Sequence, residues 1–182
     1  MASSINASTS SGIVTTADTS GVLQLQANGN TVATLSSSGV NAGIQVASNA
    51  APAFSAYLSS SQTVTSTVLT KVAYDTKVFD TNSNFASSRF TPTVAGYYQV
   101  SGRAEVASSV AFMLLYIYKN GSSFKRFTNT NTATVTAVNG SALVYLNGST
   151  DYIELYCNQG GNQQLVNAAD STYFQAAMVR SA

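Results

Sequence analysis

The chain has 182 residues, of which 45% are hydrophobic and only 8% charged, and its net charge is +1. That is enough apolar material for one domain with a real core plus a smaller appendage, and too little positive charge to neutralise a run of phosphates, so nucleic-acid binding is excluded. With no histidine and a single cysteine, Cys157, imidazole and thiolate metal sites, the usual base of a serine or cysteine hydrolase, and an intramolecular disulfide are excluded as well.

Ser, Thr, Asn, Ala and Val dominate the sequence, a mixture that suits strands and turns better than helices. Residues Met1 to Asn6 lack the basic start and apolar run of a signal peptide, and no stretch is long and apolar enough for a membrane span. The expectation is synthesis in a reducing cytoplasm, with no membrane insertion.

The first segment, residues 1–50, contains Gly21 to Ala27, the turn Asn28-Gly29-Asn30, then Thr31 to Leu35. Asn-Gly is the strongest short-range hairpin signal, because both residues tolerate positive φ. Leu23, Leu25, Val32 and Leu35 are the apolar groups of this hairpin, too few for independent stability. They are expected to serve as a trimer stalk or as the anchor to another protein. The stretches Thr16 to Gln26 and Leu35 to Val40 resemble the front segments of bacteriophage fibre and virion surface proteins. That resemblance implies attachment of residues 1–50 to a capsid or tail, with the protein on the virion surface after synthesis in the host cytoplasm. Ala47 to Pro52 reads as a linker, since small residues and a proline end regular pairing.

Residues 51–182 show many short alternating segments separated by turn signals, including Asn120-Gly121, Asn139-Gly140 and Asn147-Gly148, the pattern of an all-β sandwich. Parity places Tyr98, Val100, Gly102 and Ala104 toward the core, opposite Tyr97, Gln99, Ser101, Arg103 and Glu105. It likewise places Ile153, Leu155 and Cys157 inside, opposite Tyr152, Glu154 and Tyr156. The strands Met113 to Tyr118 and Tyr173 to Val179 are apolar on both faces, so that one face can serve the core and the other a subunit interface.

Val78-Phe79-Asp80, Arg89-Phe90 through Gly96-Tyr97-Tyr98, Tyr118 to Gly121, Leu143 to Leu155 and Ser171 to Phe174 resemble the globular complement-head (C1q-like) family of TNF-like jelly rolls. Phe79, Phe90, Gly96 and Tyr98 carry the family core motif. Gly102 departs from it, standing where an aromatic is common. The resemblance spans residues 52–179 and implies a jelly-roll sandwich that associates as a homotrimer.

No catalytic constellation emerges. The carboxylates Asp18, Asp75, Asp80, Glu105, Asp151, Glu154 and Asp170 read as solvated turn and edge groups, no calcium-loop spacing is present, and no cofactor or metal is expected. Gly160-Gly161 reads as a loop. Tyr116, Tyr118, Tyr152 and Tyr156 are the candidates either for a trimer interface or for stacking on the sugars of a host surface glycan. Two functions follow: a non-enzymatic, trimeric capsid-decoration knob or short fibre held by its first segment, or a tail-fibre adhesin whose knob binds a host receptor.

Overall fold

A computed structural model describes residues 3–8, 12–16, 19–36, 39–41, 51–130 and 134–182. Among the described residues there is no helix. The chain divides into two units, Met1–Ser48 and Asn49–Ala182. Asp18 and the linker residues Ala47 to Ala50 lie outside the described residues, as do parts of the virion-like front segments.

In the first unit the expected hairpin is β3 (Leu23–Ala27) against β4 (Asn30–Ser36), turned by Asn28 and Gly29, both at positive φ. Leu23 lies opposite Leu35, and Leu25 opposite Ala33. Val32 is the extra residue of a bulge, and it is exposed together with Leu25. The hairpin is not alone: β1 (Ser3–Ser8) runs parallel to β3, β2 (Gly12–Thr16) antiparallel to β1, and β5 (Gly39–Asn41) antiparallel to β4. The result is a five-stranded sheet in the order β2-β1-β3-β4-β5.

The second unit is a sandwich of two sheets. One contains β6 (Ala53–Tyr57), β7 (Gln62–Thr63), β9 (Thr76–Asp80), β12 (Ala95–Val110), β15 (Val135–Asn147), β17 (Gln164–Leu165) and β18 (Tyr173–Ser181). It runs β7-β17-β12-β18-β6-β9, and β15 pairs with β12. The other contains β8 (Thr70–Lys71), β10 (Phe85–Ala86), β11 (Arg89–Phe90), β13 (Met113–Lys119), β14 (Ser122–Thr130) and β16 (Ile153–Gln159). Its order is β10-β11-β16-β13-β14, with β8 against β16.

Period-two alternation decides what lies between the sheets. Tyr98, Val100, Ala104 and Val106 of β12 face inward with Phe54, Phe174 and Leu146, and meet Met113, Leu115, Ile117, Ile153, Leu155 and Cys157 from the opposite sheet. Phe54 stacks on Phe85 and Phe90 at 4.5 and 4.6 Å and meets Phe174 edge-on at 4.8 Å, while Phe90 meets Tyr98 edge-on at 5.5 Å. Each such buried side chain contributes about 1.5–3 kcal/mol. The Tyr98 hydroxyl donates to the Val94 carbonyl at 2.6 Å, so the ring is buried without an orphaned donor. Phe90, Gly96 and Tyr98 of the motif are all interior.

Phe79 differs from the core expectation. It is 48% exposed, because β9 is an edge strand and a bulge inserts Val78 between Phe79, paired with Ser55, and Lys77, paired with Ala56. Two glycines also have other roles than expected. Asn139-Gly140 is not a turn but mid-strand in β15, with Gly140 opposite Gly102. A Cβ on Gly140 would stand 2.5 Å from Cβ of Phe127, so the glycine admits that ring. Gly102 does the same for Leu155, whose Cδ1 occupies the space where a Cβ would be; Leu155 supplies the bulk that an aromatic would bring. Asn120-Gly121 is the tight turn between β13 and β14, again with both residues at positive φ. Asn147 instead caps the loop after β15, its Oδ1 accepting from the backbone N–H of Ser149, Thr150 and Asp151.

Candidate functional site

The two outward faces of the sandwich differ in chemistry. On the β12 side, Tyr97 lies directly opposite Tyr145, their rings 5.5 Å apart, and Gln99 lies opposite Leu143. A bulge between Tyr97 and Tyr98 pushes Val179 out of the β18 ladder. Tyr97, Leu143, Tyr145 and Val179 are 42%, 50%, 42% and 57% exposed, and Tyr97, Leu143, Val179 and Arg180 line an open groove of about 600 Å³. Together they form a contiguous, exposed apolar surface on one sheet.

On the opposite sheet stand the four tyrosines singled out from the sequence. Tyr116 is the cross-strand partner of Tyr156, and the Tyr118 ring stacks on Tyr156 at 4.1 Å. Tyr152 is covered by the Arg89 guanidinium, 3.7 Å from its ring centroid. All four are half-buried, and three of them are brought together while Tyr152 joins through Arg89. These tyrosines cover one another, whereas Tyr97, Leu143, Tyr145 and Val179 stand more open. The signal for that second set was in the sequence: Leu143-Val144-Tyr145-Leu146 is apolar on both parities.

Glu154 organises the tyrosine face. It points away from the core, as parity requires, yet only 2% of it is exposed, which corrects its reading as a solvated carboxylate. Its Oε1 accepts from Lys71 Nζ at 2.6 Å and Arg89 Nε at 2.9 Å, and Oε2 accepts from the Tyr156 hydroxyl at 3.4 Å. Burial pushes the Glu154 carboxyl up, but the Lys71 and Arg89 donors outweigh it and hold the group below the usual carboxylate range. The Tyr156 hydroxyl is pushed up by its own burial and by Glu154.

Three other acids hold loops, Asp75 while remaining exposed. Asp151 accepts from Lys119 Nζ, Asn120 Nδ2 and the Asn147 backbone, and Lys119 and Asn120 lower its carboxyl against the upward push of burial. Asp80 accepts from the backbone N–H of Asn84 and Phe85 and from Lys77. Asp75 accepts from the Ser59 backbone and hydroxyl. Asp151, Asp80 and Asp75 are thus each committed to a loop. Cys157 is buried and its thiol is pushed up to about 12 by desolvation, so it is not a nucleophile at neutral pH. Among the described residues no three acidic or cysteine side chains gather as metal ligands.

No family model matches the sequence, and no curated protein matches it. Solved structures do. The globular domain of zebrafish complement 1qA protein is 20% identical, the match covering 72% of this chain and 98% of that one with a TM-score of 0.55. Murine APRIL is 10% identical over 71% of this chain and 99% of its own, with a TM-score of 0.57. The Eiger TNF from S. frugiperda is 10% identical over 72% and 93%, with a TM-score of 0.54. These likenesses establish the fold as a C1q/TNF-like jelly roll.

Proposed function

We propose that the chain is a non-enzymatic structural module that associates as a homotrimer through the outward face of β15, β12 and β18. The observation that carries this reading is the open cluster of Tyr97, Leu143, Tyr145 and Val179 on one flat sheet. Burying it removes apolar area from water, and with a net charge of +1 there is little long-range repulsion between copies. The number three comes from the complement-head resemblance of residues 52–179. The first segment, residues 1–50, fastens this knob to a larger particle. Its resemblance to front segments of phage fibre proteins supports a virion surface, as a decoration knob or short fibre.

Sedimentation equilibrium tests the assembly. The expected mass is three times the 18.9 kDa of one chain, and Leu143→Arg with Tyr145→Arg should sediment as a monomer, while Tyr118→Arg on the other face should stay trimeric. A wild-type monomer at micromolar concentration would overturn the reading. A second reading, an adhesin whose knob recognises a host glycan, is favoured by one feature of the tyrosine-bearing sheet.

A further inference from the structure

That feature is a polar groove of about 520 Å³ beside the β10–β11 hairpin, lined by Lys71, Ser83, Asn84, Arg89, Thr91 and Thr93. Its two cations share a single carboxylate oxygen, Glu154 Oε1. Asp80, ahead of Ser83 in the chain, is occupied by Lys77 and by the backbone N–H groups of Asn84 and Phe85, and Asp75 accepts from Ser59. Counted over the charged residues that line the groove and their one paired carboxylate, Lys71 and Arg89 against Glu154, one positive charge is in excess. Arg89 contributes only its Nε to Glu154 and sits over the Tyr152 ring, so its remaining N–H donors can pair with two oxygens of a carboxylate or sulfate.

The backbone fixes where the groove's serines stand. Ser83, Ser87 and Ser88 all have positive φ, at 54°, 51° and 57°. Such conformations cost an L-residue with a Cβ about 1 kcal/mol each and concentrate at binding sites. Ser87-Ser88 is the two-residue turn of the β10–β11 hairpin, a place where Asn28-Gly29 and Asn120-Gly121 serve in other hairpins; Thr67, outside the groove, also has positive φ. The Ser87-Ser88 turn keeps side chains instead. Ser88 Oγ is tied to the Tyr74 carbonyl at 2.8 Å and Lys71 Nζ to the Ser87 carbonyl at 2.9 Å, so the strained turn is held in place, while Ser83 and Ser87 line the groove.

We propose that this groove binds an acidic saccharide, its carboxylate or sulfate on Arg89 and Lys71 and its ring hydroxyls on Thr91, Thr93, Ser83 and Ser87. A rim of hydroxyls, placed by the buried Asn84 amide that accepts from Thr93 and donates to the Asn82 carbonyl, matches sugar hydroxyls rather than an apolar ligand, and a single excess charge matches one oxyanion rather than a polyphosphate backbone. Repeated on each copy of an assembly, a weak site would act by multivalency. The proposal deepens the adhesin reading, and its failure would leave the trimer unaffected, since sedimentation reads that separately.

The test is a titration of the isotope-labelled full chain, followed by amide NMR, with four probes: the methyl glycoside of N-acetylneuraminic acid, a sulfated methyl galactoside, plain methyl galactoside and sodium sulfate. The expected result is saturable shifts in residues 83–93 with one or both acidic sugars and none with the neutral one. Arg89→Gln, checked for an unchanged melting profile, should weaken binding at least tenfold, and Lys71→Gln should weaken it less. Equal shifts with the neutral sugar would overturn the charge argument. Equal affinity for sulfate alone would reduce the site to a bare anion site and overturn the saccharide. The absence of shifts at residues 83–93 would overturn the whole proposal. The comparison of acidic with neutral probes uses only the native chain and stands even if a variant fails to fold.

Discussion

The two outward faces of the sandwich hold tyrosines in similar positions and put them to different uses. Tyr97 and Tyr145 face each other across β12 and β15 and remain about two-fifths exposed, although Lys119 Nζ lies 5.7 Å from the Tyr145 ring centroid. Tyr118 and Tyr156 pack beside Glu154, itself held by Lys71 and Arg89, and Tyr116 pairs with Tyr156. A tyrosine on a strand is therefore not an interface residue by type. What decides is whether a buried charge beneath it draws cations over the face, making it self-covering, or leaves it to be covered by another copy.

That contrast assumes an interior common to both faces, and the largest effect should come from breaking it. Phe90→Ala or Tyr98→Ala removes a fully buried ring of the aromatic cluster, and should cost about 3–5 kcal/mol in urea unfolding. No single substitution on either outward face should approach that value in the dissociated chain. If Tyr97→Ala did, the open face would be part of the fold rather than a surface.

How much of this was legible in the sequence depends on the range of the interaction. The inward parity of Tyr98 to Ala104 and of Ile153 to Cys157 followed from a two-residue period, which depends only on strand geometry. The turns at Asn28 and Asn120 followed from local φ requirements. Asn139-Gly140 misled because the same glycine that permits a turn also permits close approach, and the approaching group, Phe127, comes from another strand. The first unit exceeded its hairpin because Ser3–Ser8 and Gly12–Thr16 carry little apolar alternation to announce pairing. Glu154 was illegible for a related reason. Its partners lie 65 and 83 residues away, and nothing local separates a buried, paired glutamate from a solvated one.

An intermediate effect should come from Glu154 itself. Glu154→Gln keeps the volume but leaves Lys71 and Arg89 without their counter-charge, and since both cations are partly exposed the cost should be about 2 kcal/mol rather than that of a fully buried pair. The acid profile sharpens the point. Glu154, Asp151 and Asp75 are held below their ordinary values, so their stabilisation is present above the unfolded values of about 4 and is lost as pH falls through the lowered folded ones. With no histidine in the chain, melting temperature should be nearly level from pH 8 to about 5 and fall below about 4. Glu154→Gln should make that fall shallower. An unchanged acid limb in the variant would mean that Lys71 and Arg89 do not hold the carboxylate down.

The smallest effect is expected at Phe79, at the far end of the open face. Its neighbours across the sheet are polar or small: Ser55 is its paired residue, and Gln99, Ser101, Gln175 and Ala177 line the shallow groove beside it. With half the side chain still in water, Phe79→Ser should remove about 1 kcal/mol or less from the dissociated chain, several-fold below Phe90→Ala although both phenylalanines belong to one sequence motif. Concentration separates the remaining cases, because a contact made within one chain acts equally at every dilution whereas a contact between copies grows with protein concentration. Unfolding measured at several concentrations should therefore give a Phe79→Ser loss that is small when dilute and larger when the chains associate. A loss of 3 kcal/mol or more that is independent of concentration would place Phe79 in the fold after all. A loss that stays small at every concentration would confine the association face to Tyr97, Leu143, Tyr145 and Val179, ending it before β9.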